Sequence, residues 1–143
     1  MVNNLSRIVI ALSLLLAHFA ISAEYPNMEG RWSGNIRVVS SDTSGQVLTG
    51  GVIISESELV FTVDYQDGGT FIGRSRTSSM SASSEIINVW GSIRSNGDEA
   101  MFVTSTGGKG LIWFENSAAF EYCYTNITEG LVMAYCAKLT KQE

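Results

Sequence analysis

The segment AAFEYCYTNITEGLVMAYCAKLT, residues 118–140, decides the fold class. It reads as two strands, Ala118–Ile127 and Leu131–Thr140, joined by a Glu129-Gly130 turn. Alternation of side chains along a strand puts Phe120, Tyr122 and Tyr124 on one face, with Met133, Tyr135, Ala137 and Leu139 on the same face of the partner strand. Glu121 and Lys138 fall on the other face. The turn also sets Cys123 opposite Cys136 at a non-hydrogen-bonded pair, where Cα atoms approach to about 4.5 Å. That separation is within reach of a disulfide. The chain has two cysteines in all, and we expect them to be bonded to each other. Their spacing is not that of a Cys-x-x-Cys redox motif.

The pattern repeats along the rest of the chain. Short apolar or β-branched runs at Gly30–Ser40, Leu59–Gln66, Thr70–Ser78, Glu85–Arg94, Glu99–Ser105 and Lys109–Glu115 end in Gly, Asn or Asp turns. With the last two strands this predicts an all-β fold, an eight-stranded antiparallel up-and-down β-barrel in meander order. Gln46–Ser55 is either one extra strand or the first half of a long bent one, and Thr77–Ser84 reads as a loop. Asn96-Gly97 is the strongest hairpin signal, a two-residue turn that sets Arg94 opposite Glu99. Asn116-Ser117 as a two-residue turn sets Trp113 opposite Phe120. Asp67-Gly68-Gly69 as a three-residue loop sets Tyr65 opposite Phe71.

Carried through the chain, this register gathers an uncharged inner face. Its aromatics are Trp32, Phe61, Tyr65, Phe71, Phe102, Trp113, Phe120, Tyr122, Tyr124 and Tyr135, joined by Leu111 and by the small residues Gly34, Gly73, Ser75, Gly91, Ala100 and Ala137. The outer face takes Arg31, Arg37, Asp64, Arg74, Arg76, Arg94, Glu99, Glu121 and Lys138. A tight Gly107-Gly108 turn would set Val103 opposite Ile112 and Met101 opposite Phe114 on that outer face. With Ile86 and Trp90 these residues form an apolar patch on the wet side, and such patches mark interfaces. The patch predicts a homo-oligomer through Ile86, Trp90, Met101, Val103, Ile112 and Phe114. The alternative is that Gln46–Ser55 covers it.

Residues 1–23 have the layout of a secretory signal peptide: Arg7, an apolar run from Ile8 to Ala17, and small residues at Ser22-Ala23. Cleavage after Ala23 leaves residues 24–143 as one barrel domain, secreted or periplasmic, without membrane insertion. The apolar run is short for a bilayer span. A net charge of -5 over 143 residues argues against a nucleic-acid partner.

Composition also limits the chemistry. The single histidine, His18, lies in the leader, so the mature chain has none. No carboxylate has inner-face parity, so no general acid–base pair is visible inside the barrel. Gly107-Gly108-Lys109-Gly110 precedes a strand rather than a helix and lacks the other phosphate-loop positions. Asp42, Asp67 and Asp98 are turn residues without calcium-loop spacing. We expect no metal, no cofactor and no catalytic residue. Asn126-Ile127-Thr128 is a glycosylation sequon by pattern, but Asn126 has inner-face parity.

Gly30-Arg31-Trp32 opens the first strand, and a Gly-x-Trp there, followed by an antiparallel meander, resembles the calycin superfamily of lipocalins, fatty-acid-binding proteins and avidins. The Asp67–Gly73 run is similar to the Phe-x-Gly strand starts of avidin-like barrels. The resemblance implies that Trp32 closes one end of the barrel beneath a basic residue of the last strand, and Lys141 has the right parity. The chain has no lipocalin-type Thr-Asp-Tyr segment, and it carries Lys where Arg is usual. An eight-stranded barrel either fills its interior or leaves room for one small ligand. Inner glycines and inner tyrosine hydroxyls favour a mouth pocket for an apolar or aromatic ligand. Its expected lining is Tyr65, Phe71, Trp113, Tyr122, Tyr124 and Tyr135. The alternative is a packed barrel that acts through its outer surface.

Overall fold

A computed structural model describes residues 25–41, 53–78, 86–128 and 131–143. The proposed leader, residues 46–52 and 79–84 of the two uncertain segments, and the Glu129-Gly130 turn lie outside those residues. Eight strands follow in order: β1 Gly30–Ser41, β2 Ile53–Asp67, β3 Thr70–Ser78, β4 Ile87–Ile93, β5 Glu99–Thr104, β6 Lys109–Asn116, β7 Ala119–Thr128 and β8 Leu131–Lys141. Each strand pairs antiparallel with the next, and β8 returns to β1, so the sheet closes into a barrel. Ile53–Ser55 is the start of a long β2 paired with β1, with Val38 opposite Ser55.

Cys123 and Cys136 are bonded, directly opposite each other in the β7–β8 register. Around them Phe120, Tyr122, Tyr124, Tyr135, Ala137 and Leu139 are buried, as their alternation requires. Arg94 pairs with Glu99 across the β4–β5 hairpin. The register there is the expected one, but the turn is wider. The Gly97 amide donates to the Arg94 carbonyl at 2.8 Å, with Gly97 left-handed at φ +75°. Widening a loop by two residues leaves side-chain parity unchanged.

Elsewhere parity does change. The β5–β6 connection is a three-residue loop, Ser105–Gly107, not a two-residue turn at Gly107-Gly108. The Gly107 amide donates to the Thr104 carbonyl at 3.0 Å and the Thr104 amide to the Gly108 carbonyl at 2.9 Å. Gly107 occupies the left-handed position at φ +83°, the usual glycine site of such a loop. Val103 therefore faces Lys109 and Met101 faces Leu111. At the other end of β6 the turn falls on Ser117-Ala118, and a bulge at Glu115 sets Phe114 opposite Phe120. Each change shifts the register by an odd number of residues. Together they turn β6 over and leave β7 in its expected setting.

Two expectations for β6 are thereby corrected. Ile112, expected on the outer face, is fully buried, and Phe114 packs against the core cluster. Leu111 and Trp113, expected inside, face outward, with Trp113 between Glu99 and Glu121. A third correction concerns Tyr65. The β2–β3 turn is Gly68-Gly69, and the extra residue sits instead as a bulge at Asp64. Below the bulge, Val63 opposite Gly73 follows the expected register; above it Tyr65 is turned outward and is 57% exposed.

The core is a chain of aromatic contacts. Phe61 lies 5.5 Å from Tyr122, Phe102 stacks on Tyr122 at 4.7 Å, and Trp32 lies 4.6 Å from Phe120, centroid to centroid. The inner glycines make room for these rings. A Cβ on Gly91 would lie 2.0 Å from the Phe71 ring, and one on Gly110 would lie 2.3 Å from the Phe102 ring. The glycines thus complement large side chains, as close packing requires, and do not leave the middle of the barrel open.

Candidate ligand site

The two ends of the barrel differ. At the first, the segment before β1 folds across the opening. Met28 is fully buried, its carbonyl accepts the Trp32 indole N–H at 2.8 Å, and its amide donates to the Gln66 side-chain oxygen at 2.8 Å. The Gln66 side-chain amide donates in turn to the carbonyls of Pro26 and Gly68, at 3.0 and 3.1 Å. The bulge at Asp64 is what turns Gln66 toward this segment. Lys141 closes the arrangement, with Nζ 5.2 Å from the centre of the Trp32 ring, within cation–π range. This is the position that the calycin resemblance implies for the last-strand base.

The second end is lined by hydroxyls and an amide. Thr104, Thr106, Tyr124 and Asn126 form one network there. The Tyr124 hydroxyl lies 3.3 Å from both threonine hydroxyls, and the Asn126 amide donates to Thr106 at 3.4 Å. Tyr135 packs on Tyr124 at 5.3 Å and on Tyr122 at 6.2 Å. Among the described residues the buried polar side chains are Ser75, Thr104 and Asn126, none of them charged. Among the described residues, two buried side-chain polar atoms have no hydrogen-bond partner, Tyr122 Oη and Asn126 Oδ1. Ser75 and Tyr135 lie near the Tyr122 hydroxyl without bonding geometry. Burial holds the Tyr122 hydroxyl well above the ordinary tyrosine range and raises that of Tyr135 for the same reason. Both are therefore neutral donors at physiological pH.

Of the six residues expected to line one pocket, the structure brings Tyr122, Tyr124 and Tyr135 together. Phe71 is buried but belongs toward the first end, 6.3 Å from Phe61. Tyr65 and Trp113 are on the outer surface. Thr104, Thr106 and Asn126 complete the mouth. Thr104 and Asn126 already have inner parity in the sequence but are not among the six residues of the expected lining. The tight-turn reading of Gly107-Gly108 hides Thr106.

Among the described residues, apolar hollows open on the outer surface. The most apolar is about 550 Å³, lined by Trp90, Met101, Val103 and Leu111 over the backbone of Gly91 and Gly110. Trp90, Met101, Val103 and Ile86 are exposed on the outer face, where the register of the sequence sets them. Opposite Met101 and Val103, exposed Leu111 and Lys109 take the places expected for Phe114 and Ile112, and exposed Ile72 extends the patch on β3 opposite Trp90.

The molecule belongs to the class of closed eight-stranded antiparallel β-barrels. A similar solved structure is that of EF1p2_mFAP2b bound to DFHBI, with 10% identity, TM-score 0.55, and coverage of 80% of this chain and 94% of that one. A de novo designed fluorescence-activating β-barrel matches at 13% identity and TM-score 0.49, over 85% of this chain and 97% of its own. The S-type phycobiliprotein lyase CPES from Guillardia theta matches at 8% identity and TM-score 0.46, over 80% and 88%. No protein-family model matches the chain, and no curated protein sequence matches it.

Proposed function

We propose that this chain is an exported, calycin-like barrel that binds a small, uncharged, apolar or aromatic ligand at its hydroxyl-lined mouth. The observation that carries the reading is the difference between the two ends. One is plugged by Met28 beneath Gln66 and Trp32. The other presents Tyr122 Oη and Asn126 Oδ1 buried and unpartnered among aromatic rings. Buried polar atoms without partners are costly, and a mostly apolar lining with a few polar groups is typical of small-molecule sites. A neutral tyrosine donor and an amide acceptor suit a planar ligand whose edge carries both an acceptor and a donor. The absence of buried charge among the described residues disfavours a carboxylate ligand. Signal-peptide layout and the Cys123–Cys136 bond support export.

The test is titration with N-phenyl-1-naphthylamine, a neutral apolar fluorophore. Saturable one-to-one enhancement should weaken roughly tenfold or more, about 1.4 kcal/mol, in Tyr124→Ala and Asn126→Ala. It should be unchanged in Trp90→Ser. Enhancement that is lost in Trp90→Ser and kept in Tyr124→Ala would move binding to the outer surface.

The outer hollow favours a second reading, a packed barrel that associates with a copy of itself through Trp90, Met101, Val103 and Leu111. Sedimentation should then show a dimer that Trp90→Ser dissociates. A monomer at micromolar concentration, indifferent to that substitution, removes this reading.

A further inference from the structure

We propose a separate site for a phosphate or sulfate monoester on the outer face of β1, β2 and β3. Three of the chain's six arginines meet there. Arg31, Arg74 and Arg76 line one hollow of about 160 Å³, together with Val60, Thr62 and Ile86. The register explains the convergence. Thr62 of β2 lies between Arg31 of β1 and Arg74 of β3, and Val60 lies between Ser33 and Arg76. Val60 points outward yet is only 7% exposed. The three arginines line the same hollow, and long arginine stems cover apolar surface while their charged ends stay in water.

The charge balance favours an anion. Arg74 is committed to Asp64, which accepts from Nε and one terminal nitrogen at 2.9 and 2.7 Å. Arg31 and Arg76 have no carboxylate partner among the described residues. The next acidic side chain along β2, Glu58, lines a neighbouring hollow with Arg37 and Glu56. Among the described residues, three guanidinium groups stand here against one carboxylate, a local excess of two positive charges on a chain whose net charge is -5. A paired fork of arginines matches the oxygens of a monoester, and the Thr62 hydroxyl adds a neutral donor. Ile86 and Val60 provide an apolar lip for the ester's organic group.

The site stands apart from the barrel mouth and does not depend on the ligand reading there. Titration with phenyl phosphate, followed by NMR of the arginine Nε–H groups, tests it. Saturable shifts are expected at Arg31 and Arg76, weakening as salt rises, with none from benzyl alcohol. Affinity should fall roughly tenfold or more in the Arg31→Gln/Arg76→Gln double variant, the loss of two charge-assisted contacts. It should hold in Arg94→Gln, which removes one positive charge elsewhere on the barrel. Vesicles containing phosphatidic acid form a second arm. Phenyl phosphate binding without vesicle binding identifies a soluble monoester, and binding of both identifies a lipid headgroup as a further source. No saturation by phenyl phosphate, or an equal loss in Arg94→Gln, overturns the site.

Discussion

Ile112 and Trp113 are adjacent apolar residues whose energetic roles follow from the face each occupies. Ile112 is fully buried among the core rings, whereas Trp113 lies outside between Glu99 and Glu121. Truncating a buried isoleucine loses its transfer free energy and leaves a cavity. Ile112→Ala should therefore cost about 2–5 kcal/mol, and Trp113→Ala about 1 kcal/mol or less. Urea unfolding midpoints of the two variants check this, and the opposite ranking would return β6 to its other setting. The Asp64–Arg74 pair is a different case. Arg74 holds the Asp64 carboxyl below its ordinary range, but both side chains are exposed, and solvent screening leaves such a pair little net weight in stability.

At the level of elements, the strand-two bulge and the segment before β1 act as one device. The bulge at Asp64 turns Tyr65 out and Gln66 in. Gln66 then supplies three hydrogen bonds from its side chain to Met28, Pro26 and Gly68, while its own amide donates to Glu29 at 3.0 Å. Gln66→Ala leaves the Met28 amide and the Pro26 carbonyl without partners at a partly buried site. We expect a loss of about 1–3 kcal/mol and faster hydrogen exchange at the Met28 amide, with the amides of β7 and β8 unchanged. Uniformly faster exchange throughout the barrel would show that the segment is not a separable cap.

For the whole molecule, the tyrosine-lined interior makes stability depend on pH from the alkaline side. Burial raises the pKa of Tyr122 and Tyr135 in the folded barrel, while in the unfolded chain both titrate near 10. An acid whose folded pKa is raised contributes its stability in full below the unfolded pKa and loses it as pH climbs above that value. Unfolding free energy should be flat up to about pH 9 and fall beyond about pH 10. In a spectrophotometric titration, two of the five tyrosines should ionise only as the barrel unfolds. Ionisation of all five with the near-ultraviolet dichroism intact would contradict the burial of this cluster.

Much of this architecture is legible in the residues themselves, because alternation is readable wherever one face is polar. In β7 and β8, Glu121 and Lys138 mark the outside and Cys123 must meet Cys136, so faces, register and disulfide follow without a structure. The three tyrosines of the mouth are legible for the same reason. In β6 the four consecutive apolar residues Leu111, Ile112, Trp113 and Phe114 carry no such mark. Their faces depend on the length of the loop before them and on a bulge after them, and a change of one residue in either turns the strand over. Tyr65 and Gln66 change places through a bulge in the same way. Local residue types determined that there would be eight strands around an uncharged interior. Only the closed barrel, through the contact of Phe114 with Phe120 and the fit of Phe102 over Gly110, decided which side of β6 faces inward.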